Sequence, residues 1–428
     1  MNIRNLKHID WKLVGITLII MVYGYLIAYS AIYNMKIINN LAETQLIAIV
    51  LGIVLMAIFS FINYQIYYQH GIIIYAIAMI LLILVLMFGK SMRGARSWFD
   101  LGFVHFQPAE LARIAIVIVL AAYLDKRSRV IERLSVVREA LIMTGALVVL
   151  VLLQPDFGSS LVFIVIVFGM MYVAGVPRLY LSGLALYGII SIGIPLYITY
   201  MKMRYPAEHA FNHPALLIFG TIIVCWGIYM LANRWRFGVP FKLLLYTYII
   251  IVLGLISSFG IMHILKDYQR KRLVTFLNPE LDPLGAGYNV IQSKVAVGSG
   301  GLIGKGLFSG TQGQLGFLPE RHTDFIFSVV AEETGFLGAV FLVLLFIALL
   351  WRMYIIAQGA RDRFGSFIVS GFLVMFSFYC VMNLGVVMGL MPVTGLPLPL
   401  VSYGGSSMIM TCISFGIILN VGMKRYSN

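Results

Sequence analysis

Apolar runs of about 20 residues recur from one end of the chain to the other, each long enough to cross a hydrocarbon core of about 30 Å. They predict twelve spans, near 13–33, 46–62, 71–89, 108–124, 140–153, 159–174, 179–200, 215–232, 243–264, 325–351, 366–390 and 398–422. None alternates as a barrel strand does. Backbone polar groups in lipid must be satisfied within the segment, so the spans are read as helices. The expected fold is an all-α polytopic membrane protein, one integral membrane domain over 1–428. A long outer loop, 265–324, follows the ninth span and has room for re-entrant or interfacial helices, of which 288–297 is a candidate.

Composition agrees with this reading. Hydrophobic residues make up 61% of the 428 and charged ones 11%, with a mean hydropathy of +0.95, against about 25% charged in a soluble domain. The net charge of +14 does not point to nucleic acid, because the basic residues sit mainly in short loops, as orientation signals do. The N-terminus, the even-numbered loops and the C-terminus hold 17 basic and 5 acidic residues, against 14 and 12 opposite. Seven of those 14 lie in the long loop. Leaving that loop aside gives 17 against 7, which places both termini in the cytoplasm. The first apolar run is too long for a signal-peptide core and reads as the first span. Cys225, Cys380 and Cys412 all lie inside apolar runs and have neither disulfide nor metal-ligand spacing.

Four polar stretches marked by glycine or proline stand out, at 90–110, 154–158, 266–324 and 391–407. All follow odd-numbered spans, so all share the outer face. The run Lys266–Arg272 is basic and aromatic, suited equally to lipid headgroups and to a substrate phosphate. Gly298–Gly306 resembles a phosphate loop but lacks the nucleotide pattern, since Gly306 rather than Ser or Thr follows Lys305. A glycine-rich backbone with one lysine can still cradle a pyrophosphate.

Glu332 and Glu333 lie about two turns into the tenth span, and carboxylates at membrane depth are functional candidates by default. Thr323 or Asp324 stands where a helix cap is common, so capping competes with catalysis there. His322 with Asp324 makes too few ligands for a metal site. Glu110 and Arg113 share a helical face, either as a self-neutralising pair or as substrate contacts. Asp156 is placed to cap the sixth span, and Trp98 sits where interfacial tryptophan is common. Pro392, Gly395, Pro397 and Pro399 imply a broken segment, tolerated only where protein or water covers it. The residues alone thus predict an outward, partly cationic cavity rimmed by carboxylates. A phosphate-bearing lipid handled at the outer face fits it, and so does a transporter with a midplane site.

The stretch Gly310–Phe327 resembles the most diagnostic segment of the SEDS family, the shape, elongation, division and sporulation proteins. Gly94-Ala95, Trp98, Gln107-Pro108 and Glu110 are similar to its early outer-loop motif, and Gln154-Pro-Asp156 and Leu396–Ser406 to two more. Glu320-Arg-His-Thr323 and Gly395–Pro399 look closer to the elongation-type branch (RodA) than to the division-type branch (FtsW). The resemblance implies a peptidoglycan glycosyltransferase of the bacterial cytoplasmic membrane. Such an enzyme polymerises lipid II on the outer face for cell elongation and shape, with a class B penicillin-binding protein and other elongation-complex proteins as partners. The family's essential acid falls on Asp324, the expected catalytic base. Substrate contacts are expected from Arg93, Trp98, Glu110, Arg113, Asp156, Lys305, Glu320, Arg321, His322 and Ser402. No cofactor is required beyond an optional divalent cation, Mg or Mn, at the pyrophosphate.

Three features depart from the family's pattern. Members typically have ten spans, and the surplus pair lies near 215–264. Ser97 precedes the motif tryptophan where Arg is usual, and Arg113 replaces a Lys, keeping the charge with a different geometry. The rival readings are a flippase for lipid-linked precursors and a scaffold that recruits a synthase.

Overall fold

The computed structural model describes residues 8–33, 38–92, 95–100, 105–204, 241–264, 287–314 and 316–425, with isolated positions between 220 and 285. The eighth expected span, the Lys266–Arg272 run and Arg93 lie outside the described residues, apart from positions 220, 226–227 and 230 of that span. The contacts divide the chain into two compact units, Met1–Val176 with Asn289–Asn428, and Pro177–Tyr288.

The first unit opens with α1 (Trp11–Ile32), α2 (Ile38–Phe61) and α3 (Gln65–Phe88). Three short strands follow, β1 (Lys90–Met92), β2 (Ala95–Asp100) and β3 (His105–Phe106), paired antiparallel in that order. The all-helical expectation missed them: they form within the polar 90–110 stretch, whose spacing gave no helix and whose apolar content is too low for a span. Next come α4 (Pro108–Lys126), α5 (Leu134–Leu153) and α6 (Phe157–Ala174). The second unit contains α7 (Arg178–Arg204) and α8 (Phe241–Ile264), which pack on each other. Tyr187 and Ser257 join their hydroxyls across that pair at 2.7 Å. The first unit resumes with α9 (Tyr288–Ser299) and α10 (Thr311–Gln314). It closes with α11 (Ile326–Gln358), α12 (Arg363–Met388) and α13 (Gly405–Lys424).

Nine of the described helices are long and apolar enough to cross a membrane. The chain is a multi-pass membrane protein. The helix α4 is not among the nine, because Glu110, Arg113, Asp125 and Lys126 dilute it, yet it is almost wholly buried. It packs against α3, α6, α12 and α13, and this surround lets a helix carry charge at depth. The last span begins at Gly405 rather than near 398, because Pro397 and Pro399 cannot donate helix hydrogen bonds. The chain from 390 to 404 is accordingly irregular. It is covered by protein: Leu396, Leu398, Leu400 and Val401 are all buried. A covered irregular segment of this kind is what membrane depth permits.

Candidate active site

Two irregular stretches meet here, 320–325 ahead of α11 and 394–404 ahead of α13. Their contacts run through the backbone. Tyr403 N–H donates to the His322 carbonyl at 2.8 Å, and the Ser402 hydroxyl donates to the Thr323 carbonyl at 2.7 Å. The amide of Asn383, on α12, donates to the carbonyls of Asp324 (3.0 Å) and Leu396 (3.1 Å) at once. Ser402 Oγ in turn accepts from Leu398 N–H at 2.8 Å, and the His322 and Tyr403 rings meet edge-on at 5.6 Å. Leu400 holds a positive φ of 65°, a conformation costly for a branched side chain and met disproportionately at functional sites.

This scaffold holds Asp324 by its main chain. Its carboxylate lies toward the broken segment, with Oδ2 3.8 Å from where a Cβ on Gly395 would stand. Asp324 does not cap α11: the cap residue is Phe325, and no side chain caps the helix. The competing structural role is thus absent from the geometry. Glu320 instead takes the local turn, its carbonyl accepting from the N–H groups of Thr323 and Phe325 and its Oε2 from the Thr323 hydroxyl at 3.2 Å. Arg321 is buried, with Nε donating to the Ala31 carbonyl at 2.6 Å. Burial pushes its guanidinium down from the ordinary value, but arginine starts so high that the charge remains.

A second polar cluster abuts the other side of the broken segment. Arg113 pairs with Glu110 at 2.6 Å, donates to Ser159 Oγ at 2.6 Å, and lies 5.4 Å from the centre of the Tyr379 ring. Asp156 is the N-cap of α6: Oδ1 accepts from Ser159 N–H at 2.9 Å, and Oδ2 from Ser159 Oγ at 2.6 Å and Gln107 Nε2 at 2.9 Å. A chain of bonds thus runs Gln107–Asp156–Ser159–Arg113–Glu110. Gln107 N–H reaches Ser406 Oγ at 3.3 Å, and a Cβ on Gly158 would stand only 2.1 Å from the Thr394 carbonyl. Only glycine allows that approach. Trp98, half-buried on β2, stands beside this cluster in sequence, and its strand packs on α4.

The glycine-rich 298–306 loop does something different from cradling a phosphate. Its backbone fills a break in α11, where Gly335 adopts φ 69°, ψ −167°. Lys305 and Gly306 N–H donate to the carbonyls of Glu332 and Glu333 at 3.0 Å each. Phe336 and Leu337 N–H donate to those of Gly301 (2.9 Å) and Leu302 (3.1 Å). The loop thereby replaces helix hydrogen bonds that the kink removes. Glu332 is fully buried and binds Lys305 Nζ at 2.8 Å, Thr311 Oγ1 at 3.1 Å, and the N–H groups of Gln312 (3.0 Å) and Gly313 (3.2 Å). Lys305 Nζ also donates to Ser299 and Thr311. Glu333 accepts from Ser30 Oγ at 2.7 Å.

Of the expected site residues, the structure links Glu320, His322, Asp324 and Ser402 along one seam, and Glu110, Arg113 and Asp156 in the adjoining cluster. Arg321 leans on the end of α1, and Lys305 is committed to Glu332. Asn383, Ser159 and Tyr379 escaped the sequence reading, and Gln107 entered it only as part of the early outer-loop motif. Asn383 and Tyr379 lie inside an apolar span, and only the polarity of Asn383 at that depth could have signalled it. No group of three or more His, Cys, Asp or Glu among the described residues is arranged to hold a metal.

A predominantly helical membrane chain with a carboxylate where two broken segments meet matches a known family. The FtsW/RodA/SpoVE family, described as cell cycle proteins, matches residues 9–211 and 218–427. The chain belongs to this family, the SEDS proteins, and the match takes in most of the helix pair read as surplus. Peptidoglycan glycosyltransferase MrdB of Escherichia coli K12 is 35% identical over 418 residues, covering 98% of this chain and 94% of that protein. Peptidoglycan glycosyltransferase RodA of Treponema pallidum is 33% identical, covering 99% and 100%. The crystal structure of the rod-shape-determining protein RodA of Thermus thermophilus superposes with a TM-score of 0.61 at 29% identity, covering 98% of each chain. A chain from a study of polymerisation and crosslinking by a peptidoglycan synthase complex gives a TM-score of 0.69 at 32% identity, covering 98% and 99%.

Proposed function

We propose that this chain is a peptidoglycan glycosyltransferase that polymerises lipid II for cell elongation and shape, with Asp324 as general base. It is a membrane enzyme of hexosyl transfer. The reaction takes place at the outer face of the bacterial cytoplasmic membrane, with both termini in the cytoplasm, and a class B penicillin-binding protein with other elongation-complex proteins completes the machinery. The observation that carries the reading is the placement of Asp324: Asn383 donates to its main-chain carbonyl, and its carboxylate lies toward the broken segment, with Oδ2 3.8 Å from where a Cβ on Gly395 would stand.

In the step, the Asp324 carboxylate takes the proton from the acceptor sugar's 4-hydroxyl as that oxygen attacks the donor's anomeric carbon. The C1–O4 bond forms, and the bond from C1 to the lipid pyrophosphate breaks. A single displacement inverts the α-linked donor to a β-1,4 linkage and releases undecaprenyl pyrophosphate. The departing charge is met by fixed cations, for which Arg113 and Arg321 are proposed, and Arg93 on its sequence position alone. Lys305, paired with Glu332 as Arg113 is with Glu110, is the weaker candidate because its loop fills the break in α11. Trp98 and His322 supply contact surface, while Glu110, Asp156, Glu320 and Ser402 hold these groups in position.

The test is polymerisation of lipid II in detergent by purified wild type and Asp324→Asn, each with and without the class B partner. Glycan strands from wild type alone, with Asp324→Asn folded and silent, are the expected result. An active Asp324→Asn removes the base. Silence of the wild type with its partner favours a flippase, which a liposome assay then checks.

A further inference from the structure

The short helix α9 is tied to both long helices that flank the Asp324 seam. Ser293 is buried, shares a hydrogen bond with the Ser328 hydroxyl at 2.8 Å, and donates to the Val387 carbonyl at 2.9 Å. Ser328 lies four residues beyond Asp324, on α11, and Val387 four beyond Asn383, on α12. The next residue on α9, Lys294, is exposed. Its side chain runs across Gly389, the C-cap of α12, where φ is 69°. A Cβ on that glycine would stand 2.4 Å from Lys294 Cε and 2.7 Å from Nζ. Glycine is therefore needed there twice, for the left-handed turn and for the path of the lysine.

Other cations expected at the substrate are already engaged. Arg113 pairs with Glu110 and Lys305 with Glu332, and Arg321 donates to the Ala31 carbonyl. Lys294 makes no hydrogen bond or ion pair among the described residues. An ammonium at a helix C-terminus complements the dipole, but this one is also open to an anion from outside. Its stem is already laid down, so it loses less rotamer freedom on binding than a free lysine does.

We infer that Lys294 is a binding residue for the diphosphate of the lipid-linked substrate. The inference deepens the polymerase reading and rests on it for the identity of the anion. The diphosphate is charged before the sugar leaves as well as after, so the contact belongs to substrate binding and is read in KM rather than kcat.

The experiment is native mass spectrometry of the full chain in detergent, supplied with undecaprenyl diphosphate, undecaprenol or phosphatidylglycerol. Thermal unfolding and lipid II polymerisation are measured on the same preparations. The variants are Lys294→Gln, Lys294→Arg, Gly389→Ala and the double variant Lys294→Gln/Gly389→Ala. Wild type is expected to retain the diphosphate over undecaprenol. Lys294→Gln should retain about fivefold less of it, the scale of a partly exposed charged contact, with undecaprenol retention and unfolding midpoint unchanged. Its KM for lipid II should rise by about the same factor, with kcat within about twofold. Lys294→Arg should recover most of the retention. Gly389→Ala should lose it too, because its Cβ displaces the ammonium, and the double variant should lose no more than Lys294→Gln, since the two act through one contact. Lys294→Gln, at an exposed position, reports alone if Gly389→Ala misfolds.

Equal diphosphate retention by wild type and Lys294→Gln overturns the inference, and polymer formed by both then leaves the polymerase reading standing. A matching loss of undecaprenol, or a lowered midpoint, overturns it in favour of a helix-end role. A matching loss of phosphatidylglycerol overturns it in favour of bilayer headgroups. Retention that depends on Lys294 in a wild type that makes no polymer upholds the binding residue and sinks the polymerase reading instead.

Discussion

Asp324 and Glu332 lie eight residues apart, each beside glycines and a basic residue, yet they are held in opposite ways. Glu332 is fixed through its carboxylate, which accepts from Lys305, Thr311, Gln312 and Gly313. Asp324 accepts at its carbonyl from Asn383, and the two residues before it are tied at their carbonyls by Ser402 and Tyr403. A carboxylate with four internal donors has little capacity left for chemistry, and it stabilises a fold. Asp324 is set in place by its main-chain carbonyl with its carboxylate toward the broken segment, the placement that the proposed general base requires. Glycine and charge near a membrane acid therefore do not by themselves identify a site.

The largest effect should come from exchanging the carboxylate proposed as general base. Asp324→Asn is expected to lower the rate by about 10³-fold, within the range a positioned base supplies. Its thermal midpoint in detergent should match wild type, because Asn keeps the shape and the Asn383 bond involves only the main chain. A parallel fall in rate and stability would erase the contrast with Glu332.

Glu332→Ala should show the reverse. Removing a buried acceptor leaves Lys305 and the α10 N–H groups unpaired, at a cost of about 2–3 kcal/mol, toward the low side because the Lys305 side chain is 26% exposed. The expected readout is a lowered unfolding midpoint and yield, with near-normal rate per folded molecule. Gly304→Ala should behave alike. Gly304 has φ 82°, and a Cβ there would stand 2.2 Å from the Glu333 carbonyl, so the loop must leave the α11 break.

Asn383→Leu tests whether the clamp on Asp324 serves the reaction. Leucine has nearly the same shape and cannot donate, so the Asp324 and Leu396 carbonyls each lose a partner. A fall of about tenfold in kcat is expected, on the scale of one lost hydrogen bond, with KM for lipid II within about twofold. Asn383→Ser, which retains one donor, should recover part of it. Unchanged kcat in Asn383→Leu would make the clamp incidental.

How much of this was legible beforehand follows from the same physics. Spans declare themselves by length and apolarity, so helices stand at eleven of the twelve expected positions, and the eighth falls outside the described residues. Prolines 392, 397 and 399 announced the broken segment, because a missing N–H is a local property. The strands at 90–106 were not announced, being too short for a clear period. Nor was the partnership of the 298–306 loop with α11, since hydrogen bonds across thirty residues leave no trace in spacing. Asn383 was hidden because one amide in an apolar run looks like a tolerated polar residue until its two carbonyl partners are seen.

The smallest expected effect separates the two regions most sharply, and it concerns Lys305. If that lysine met the departing pyrophosphate, Lys305→Gln would cost about 10²-fold or more in kcat, as the loss of one transition-state donor does elsewhere. The geometry gives it another task. Its ammonium is held by Ser299, Thr311 and Glu332, and Glu332 keeps three other donors when it is gone. A glutamine amide can still donate to one of these oxygens. The rate should therefore fall by no more than about threefold, with a modest drop in unfolding midpoint, since a partly exposed ion pair contributes little. A hundredfold loss at unchanged stability would move Lys305 to the substrate and make the glycine-rich loop part of the active site.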